Sequence, residues 1–256
     1  MELIILSELV KSWLYEAGEK ILVALESPMA VNEKTSRKDI VTNVDKEIEA
    51  FIAGKIMTHF PEDSILGEEG TQKNQVSECS RTWLIDPIDG TLNFYKQHDY
   101  FCLMIAIEQK NQPSLGFIYE PKGDELLWGG SEIGVYLNNE RLQPPTNQPL
   151  EEAIININSG MLLDNCYNLQ EASRRAIGIR MIGCAGIGIK EVILGKQGAY
   201  VSYLQPWDYA AGQILAEALG LKVAHMDGKT LELDQRVPVI FATPMIYQEI
   251  QKIKEL

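Results

Sequence analysis

The chain has 256 residues, 45% of them hydrophobic and 23% charged, enough apolar material for one large domain or two smaller ones. Acidic residues outnumber basic ones by 36 to 23, a formal charge of −13 that argues against nucleic acid or an anionic membrane surface as a partner. An anionic small molecule stays open, because bound cations can reverse the sign of a local site.

Residues 1–26, "MELIILSELVKSWLYEAGEKILVALE", carry charges too often for a signal peptide or a membrane span. Leu6, Leu9, Val10, Trp13, Leu14 and Ala17 follow helical spacing, so the segment reads as an amphipathic helix. The polar run "SPMAVNEKTSRKD" has no periodicity and reads as a loop. "NVDKEIEAFIAGKIMTHF" reads as a second helix with Asn43 as its N-cap and Pro61 beyond its end. "TWLID", "YFCLMIAIEQ", "PSLGFIYEP", "DELLWGG" and "GVYLNNERL" are short apolar runs between turn residues, the pattern of an antiparallel meander. "QPPTNQP", residues 143–149, is proline-rich and reads as a boundary. Beyond it, strands ("AIININ", "RMIG", "GAYVSYL", "LKVAHM", "VPVIFAT") alternate with helices ("NLQEASRRAIG", "AGIGIKEVILGK", "PWDYAAGQILAEALG" and the last dozen residues). The expectation is an α+β half over 1–146 and a layered α/β half over 147–256.

Cys79, Cys102, Cys166 and Cys184 show no CxxC spacing, and there are only three histidines. This speaks against a zinc site or a disulfide framework and for reduced thiols in a cytoplasmic protein.

Acidic residues gather at the ends of apolar runs. In "WLIDPIDGTLNF" a strand delivers Asp86, Pro87 ends its ladder, and Gly90 permits an unusual turn just after Asp89. "ILGEEG" ends an apolar run in Glu68 and Glu69, "QPWDYAAG" puts Asp208 in the first turn of a helix, and "KDIVTNVDKE" holds Asp39 and Asp45. Taken singly, each also reads as a solvated turn or helix-start carboxylate. Two aspartates at the mouth of one buried strand repel each other unless a positive charge lies between them. Hard oxygen ligands of this kind suit magnesium. No glycine-rich nucleotide loop and no EF-hand spacing is present.

"WLIDPIDGTLNF", "GEE" and "PWDYAAG" together resemble the inositol monophosphatase family of magnesium-dependent, lithium-sensitive phosphatases. The resemblance runs from "DIVTNVD" to "PVIFATPMIYQEI". It implies a five-layered αβαβα sandwich of the sugar-phosphatase type. It also implies metal ligation by Glu68, Asp86, the backbone carbonyl of Ile88, Asp89 and Asp208, with Glu69 in support, and catalytic roles for Thr91 and Asp45. Substrate would touch Glu68, Ile88, Asp89, Gly90, Thr91, Asp208 and the small-residue turn at Cys184 and Ala185, although those two also read as helix-start packing. Two or three Mg2+ ions, with Mn2+ as a substitute, and a homodimer complete the expectation.

The chemistry is consistent with this reading. Metals clamped by four carboxylates can neutralise a phosphoryl group and acidify water, so no protein nucleophile is required. Water then attacks directly, in line. Inositol monophosphate is the expected substrate. The NADP 2′-phosphate, a nucleotide 3′-phosphate and sugar phosphates are alternatives, because Val201 occupies the position of a glutamate that contacts inositol hydroxyls in the family. "NINSGM", with Asn158, Ser159 and Gly160, aligns only loosely with the family's Gly-Ser pair. A non-catalytic regulator remains as a reading from another class; the charge balance disfavours RNA as its partner.

Overall fold

The computed structural model describes residues 3–37, 39–73, 81–109, 114–233 and 235–256; Cys79 lies outside them. Helix α1 (Leu3–Ala24) is followed by a hairpin of β1 (Val31–Ser36) and β2 (Asp39–Thr42), then by α2 (Asn43–His59). Strands β3 (Ser64–Gly67), β4 (Gln72–Lys73) and β5 (Arg81–Asp89) lead into α3 (Thr91–Gln97). A run of strands follows: β6 (Cys102–Gln109), β7 (Leu115–Glu120), β8 (Glu125–Gly130), β9 (Gly134–Leu137) and β10 (Glu140–Arg141). After residues 143–149, which hold no regular element, come β11 (Ile154–Ile157), α4 (Ser159–Leu163), α5 (Leu169–Arg175), β12 (Gly178–Arg180) and α6 (Ala185–Ile193). The chain closes with β13 (Ala199–Leu204), α7 (Pro206–Ala218), β14 (Lys222–His225), β15 (Val237–Ala242) and α8 (Pro244–Lys254).

Two large sheets result, in the orders β10-β9-β8-β7-β6-β5-β3-β4 and β12-β11-β13-β15-β14. Strand alternation decides what lies on each face. On β6, Leu103, Ile105 and Ile107 join a core with Val10, Trp13 and Leu14 of α1 and Ile48 and Ile52 of α2. Cys102, Met104 and Ala106 face the opposite way, into a second core with Ile189 of α6 and Leu215 of α7. That core is closed on its far side by Tyr200 and Phe241 of the five-stranded sheet. The reverse face of this sheet, with Ile155, Val201 and Ile240, packs against Met161 of α4, Ala172 of α5 and Ile250 of α8. The order is therefore helix, sheet, helix, sheet, helix, as the five-layered expectation had it.

Several local expectations need correction. The polar run after α1 is not a plain loop: β1 pairs antiparallel with β2, with an irregularity between Glu33 and Ser36. Such a hairpin leaves no apolar period to read, because much of it faces solvent. The N-cap of α2 is Thr42 rather than Asn43; Thr42 accepts from the Val44 and Asp45 amides and Asp45 bonds back, a reciprocal capping box. The meander from β5 to β10 is antiparallel throughout, as expected, and β3 joins the same sheet parallel to β5. Pro87 does not end β5: the register shifts between Asp86 and Asp89, and pairing resumes at Asp89 with Cys102. A proline without an N–H is accommodated at such a bulge. The strand expected at "RMIG" lies just upstream, at β12. None of the described helices is long and apolar enough to cross a membrane.

One buried acid not singled out in the sequence organises the turn after β3. Glu49 of α2 is 1% exposed and accepts hydrogen bonds from the Glu69 amide at 2.7 Å and the Thr71 amide at 2.9 Å. Amide donors to a buried carboxylate are each expected to contribute about 1.5–3 kcal/mol. Glu49→Ala is therefore expected to lower stability by several degrees in thermal unfolding. Glu49→Gln, which keeps an acceptor, should recover part of the loss.

Candidate active site

Four acids from three distant stretches of chain converge. Glu68 follows the end of β3, Asp86 and Asp89 flank the β5 bulge, and Asp208 sits in the first turn of α7. Their proximity registers in their protonation. Burial pushes the Asp86 carboxyl well above the usual carboxylate range, and the charges of Glu68, Asp89 and Asp208 push it further. Burial, then Asp89 and Glu68, does the same to Asp208. Glu68 is raised by burial against the opposing pull of Lys34, and Asp89 by burial against several donors.

Each carboxylate is held by its element. The amide of Gly186, in the first turn of α6, donates to Asp89 Oδ2 at 2.5 Å, and Cys184 Sγ donates to the same oxygen at 3.0 Å. The Gln205 amide donates to Asp208 Oδ2 at 2.9 Å. Asp45 takes both the amide and the hydroxyl of Thr42 on Oδ2, and the Thr91 hydroxyl lies 2.9 Å from its Oδ1. That same hydroxyl is 3.0 Å from the carbonyl of Ile88. Gly90, between Asp89 and Thr91, has φ +84°, and a Cβ there would meet the Tyr100 carbonyl at 2.9 Å. Only glycine allows this turn to bring the start of α3 beside the acids.

Lys34 was not visible as a site residue in the sequence. From the β1–β2 hairpin its ammonium lies 2.9 Å from Glu68 Oε1 and 2.5 Å from Glu69 Oε1. Burial works to lower its pKa, but the charge of Glu68 and hydrogen bonds to both glutamates outweigh it, so the net direction is upward. Lysine in a polar hairpin carries no motif, so no signal pointed to it.

A cleft of about 330 Å³ opens beside the acids, lined among others by Asp89, Asp208, Cys184, Ala185, Asn156 and Ser159. Cys184 and Ala185 thus both start α6 and line the cleft. Asn158 and Ser159 line it too, with Asn158 capping α4 through the Gly160 and Met161 amides. Val201 does not reach it. Its side chain belongs to the core on the reverse face of the sheet, and β13 turns Tyr200, Ser202 and Leu204 toward the cleft instead. The alternation of a strand makes a shift of one position decisive, and counting from Asp208 could not show which face was meant.

A family model described as the inositol monophosphatase family matches residues 6–255. The chain belongs to the inositol monophosphatase family. An inositol-1-monophosphatase of Bacillus subtilis is 34% identical over 250 residues, covering 96% of this chain and 94% of that protein. An IMPase/NADP phosphatase complexed with Mg2+ and phosphate superposes with a TM-score of 0.89 at 31% identity, covering 97% and 94% of the two chains. An IMPase/NADP phosphatase complexed with NADP and Ca2+ reaches a TM-score of 0.92 at 30% identity, covering 99% and 96%.

The residues present fit a divalent cation. Asp86 is 2% exposed, and its Oδ1 has no hydrogen-bond partner. A buried carboxylate oxygen without a donor is costly unless a cation occupies its lone pairs. Lys34 already brings one positive charge to the rim of the group. In the metal-free protein the raised acids bind more protons folded than unfolded, so stability falls as pH rises through and above the ordinary carboxylate range. We expect the metal-free melting temperature to drop as pH rises above the ordinary carboxylate range, with Asp86→Asn flattening that drop. Magnesium at 100 times its dissociation constant should raise melting by about 5–10 °C at pH 8, and much less in Asp86→Asn.

Proposed function

We propose that the protein is a magnesium-dependent phosphomonoesterase that hydrolyses inositol monophosphate by direct in-line attack of water. The observation that carries this reading is the unpartnered, buried Asp86 oxygen amid converging acids. Glu68, Asp86, Asp89, Asp208 and the Ile88 carbonyl would hold two or three cations, with Mn2+ able to replace Mg2+. Once bound, the cations supply positive charge to the phosphoryl oxygens and acidity to water.

The chain's own residues position the reactants. The Thr91 hydroxyl donates to Asp45 Oδ1 or to the Ile88 carbonyl, which leaves its lone pairs to accept a hydrogen bond from the attacking water and so orient it. Asp45 is anchored by Thr42 at the head of α2, so the Thr91 rotamer is fixed before substrate arrives. Burial raises the Asp45 pKa, and hydrogen bonds from Thr42 and Thr91 oppose that rise. The turn at Gly90 faces the phosphate, and Cys184 and Ala185 border the alcohol. The P–O ester bond breaks as the water–phosphorus bond forms, and the alcohol leaves with a proton.

A larger ester such as NADP is the second reading. It no longer rests on Val201, which faces the core. It rests on a second cavity of about 520 Å³ that shares Tyr203 as a lining residue with the cleft. We also propose a homodimer. Strand β12 lies at a sheet edge, and Ile177 and Met181 on either side of it are 71% and 48% exposed. A regulator without catalysis would leave the metal-fitted acids without a task.

Phosphate release from inositol 1-phosphate, NADP, adenosine bisphosphate and fructose bisphosphate at fixed magnesium tests the reading. Release from the inositol ester is expected, and no release from any ester would refute the enzyme. Thr91→Ala should lower kcat by about 100-fold or more while keeping the magnesium-induced rise in melting temperature. A chiral phosphate ester should give inversion at phosphorus; retention would point to a phosphoenzyme.

A further inference from the structure

Two thiols and a carboxylate meet at one point beside the cleft. Cys102 opens β6 directly opposite Asp89 in the antiparallel register, and Cys184 stands just before α6. The two sulfurs are 3.8 Å apart, and they lie 3.6 Å and 3.0 Å from the same Asp89 oxygen, Oδ2. Spacing along the chain gave no sign of the trio, because 82 positions separate the cysteines. Asp89 and Cys184 line the cleft, and Cys102 is buried behind them. A Cβ at Gly186 would run into the Cys102 sulfur, so glycine is what lets α6 begin this close.

The distances are those of a tetrahedral metal site. Zinc holds thiolate sulfur at about 2.3 Å and carboxylate oxygen at about 2.0–2.2 Å, which separates two sulfurs by about 3.8 Å and sulfur from oxygen by about 3.5 Å. The Cys184–Asp89 edge alone is short, and a turn of the Cys184 side chain lengthens it. The charge also balances. Burial pushes the pKa of both thiols up, so each keeps its proton in the free protein, within donating distance of Oδ2. One divalent cation entering by way of Asp89 and Cys184 takes the place of those two protons. Two S–H bonds break, two metal–sulfur bonds form, and both protons leave to solvent. The net buried charge is unchanged, which avoids most of the cost of burying an ion. Thiolates favour zinc, whereas magnesium demands oxygen ligands.

We propose that Cys102, Cys184 and Asp89 form a second metal site, for a thiophilic divalent cation such as Zn2+, and that its occupation inhibits the enzyme. Zinc on Oδ2 draws Asp89 toward the thiols and sets a further dication against the magnesium group, weakening it by repulsion. It also occupies Cys184, which borders the substrate. Only the inhibitory half rests on the phosphatase reading; binding stands on the geometry of the three side chains.

Cd2+ is the probe for binding, because its thiolate complexes absorb in the ultraviolet. Titrated into reduced, metal-free protein, it should raise a sulfur-to-metal charge-transfer band that saturates first at one ion per chain. Cys102→Ser should weaken that binding by at least about tenfold, since even partners one shell out from a metal cost that much. Cys102→Ala covers the case of a poorly folded serine variant. Crystals of the wild type soaked in Cd2+ should show an anomalous peak between the two sulfurs, a readout independent of any variant. Inhibition of phosphate release by Zn2+ at fixed magnesium, scaled to each protein's own zinc-free rate, should need at least about tenfold more zinc in the Cys102 variants. No charge-transfer band in the wild type, a band undiminished in both variants, or no anomalous density between the sulfurs would overturn the site. The predicted loss of the band with equal zinc inhibition in all three proteins would overturn the inhibitory role alone. A protein that hydrolyses no phosphate ester would overturn the phosphatase reading, and the Cd2+ readouts would still decide the site.

Discussion

Mutual repulsion among buried carboxylates is the constraint on which the rest of this structure depends. Glu68, Asp86, Asp89 and Asp208 are brought close enough for their charges to raise one another's pKa. In a low-dielectric setting such repulsion would push the elements apart unless other groups hold them. The fold supplies those restraints from the backbone: the Gly186 amide on Asp89, the Gln205 amide on Asp208, and Thr42 with Thr91 on Asp45. Glu49 fixes the turn that carries Glu68. What the backbone does not balance is net negative charge, and Lys34 answers only part of it.

The layered architecture explains why these acids can be buried and still reachable. The middle helices α6 and α7 lie between two sheets, and their N-termini point at the ends of β5 and β13. Helix N-termini favour negative charge, so Asp89 and Asp208 sit where backbone dipoles help to hold them. The cleft is the space left where the five-stranded sheet and α6 part company. Its floor is sheet, with Asn156 and Tyr200; one side is α6, with Cys184 and Ala185; one end is acid.

Much of the fold was legible because burial imposes a period. Leu6, Val10, Trp13 and Leu14 recur at helical spacing and do pack against the first sheet. The acids were legible for the complementary reason: carboxylates that interrupt apolar runs at Gly67, Pro87 and Pro206 have no explanation in packing. What escaped was set by contacts distant in sequence. Lys34 meets Glu68 from a hairpin with no apolar period. Glu49 is one acid among many along α2 until the β3 turn folds onto it. The facing of Val201 depended on a one-residue register that counting back from Asp208 could not supply. The N-cap shifted from Asn43 to Thr42 because both are good capping residues, and only the reciprocal bond from Asp45 separates them.

The central claim is that these four acids form a common cation site. Anomalous diffraction from crystals soaked in Mn2+ tests it most directly. The account predicts anomalous peaks bonded to oxygens of Glu68, Asp86, Asp89 and Asp208, with Lys34 withdrawn from at least one glutamate. Peaks absent from this group, or confined to surface carboxylates elsewhere, would contradict it.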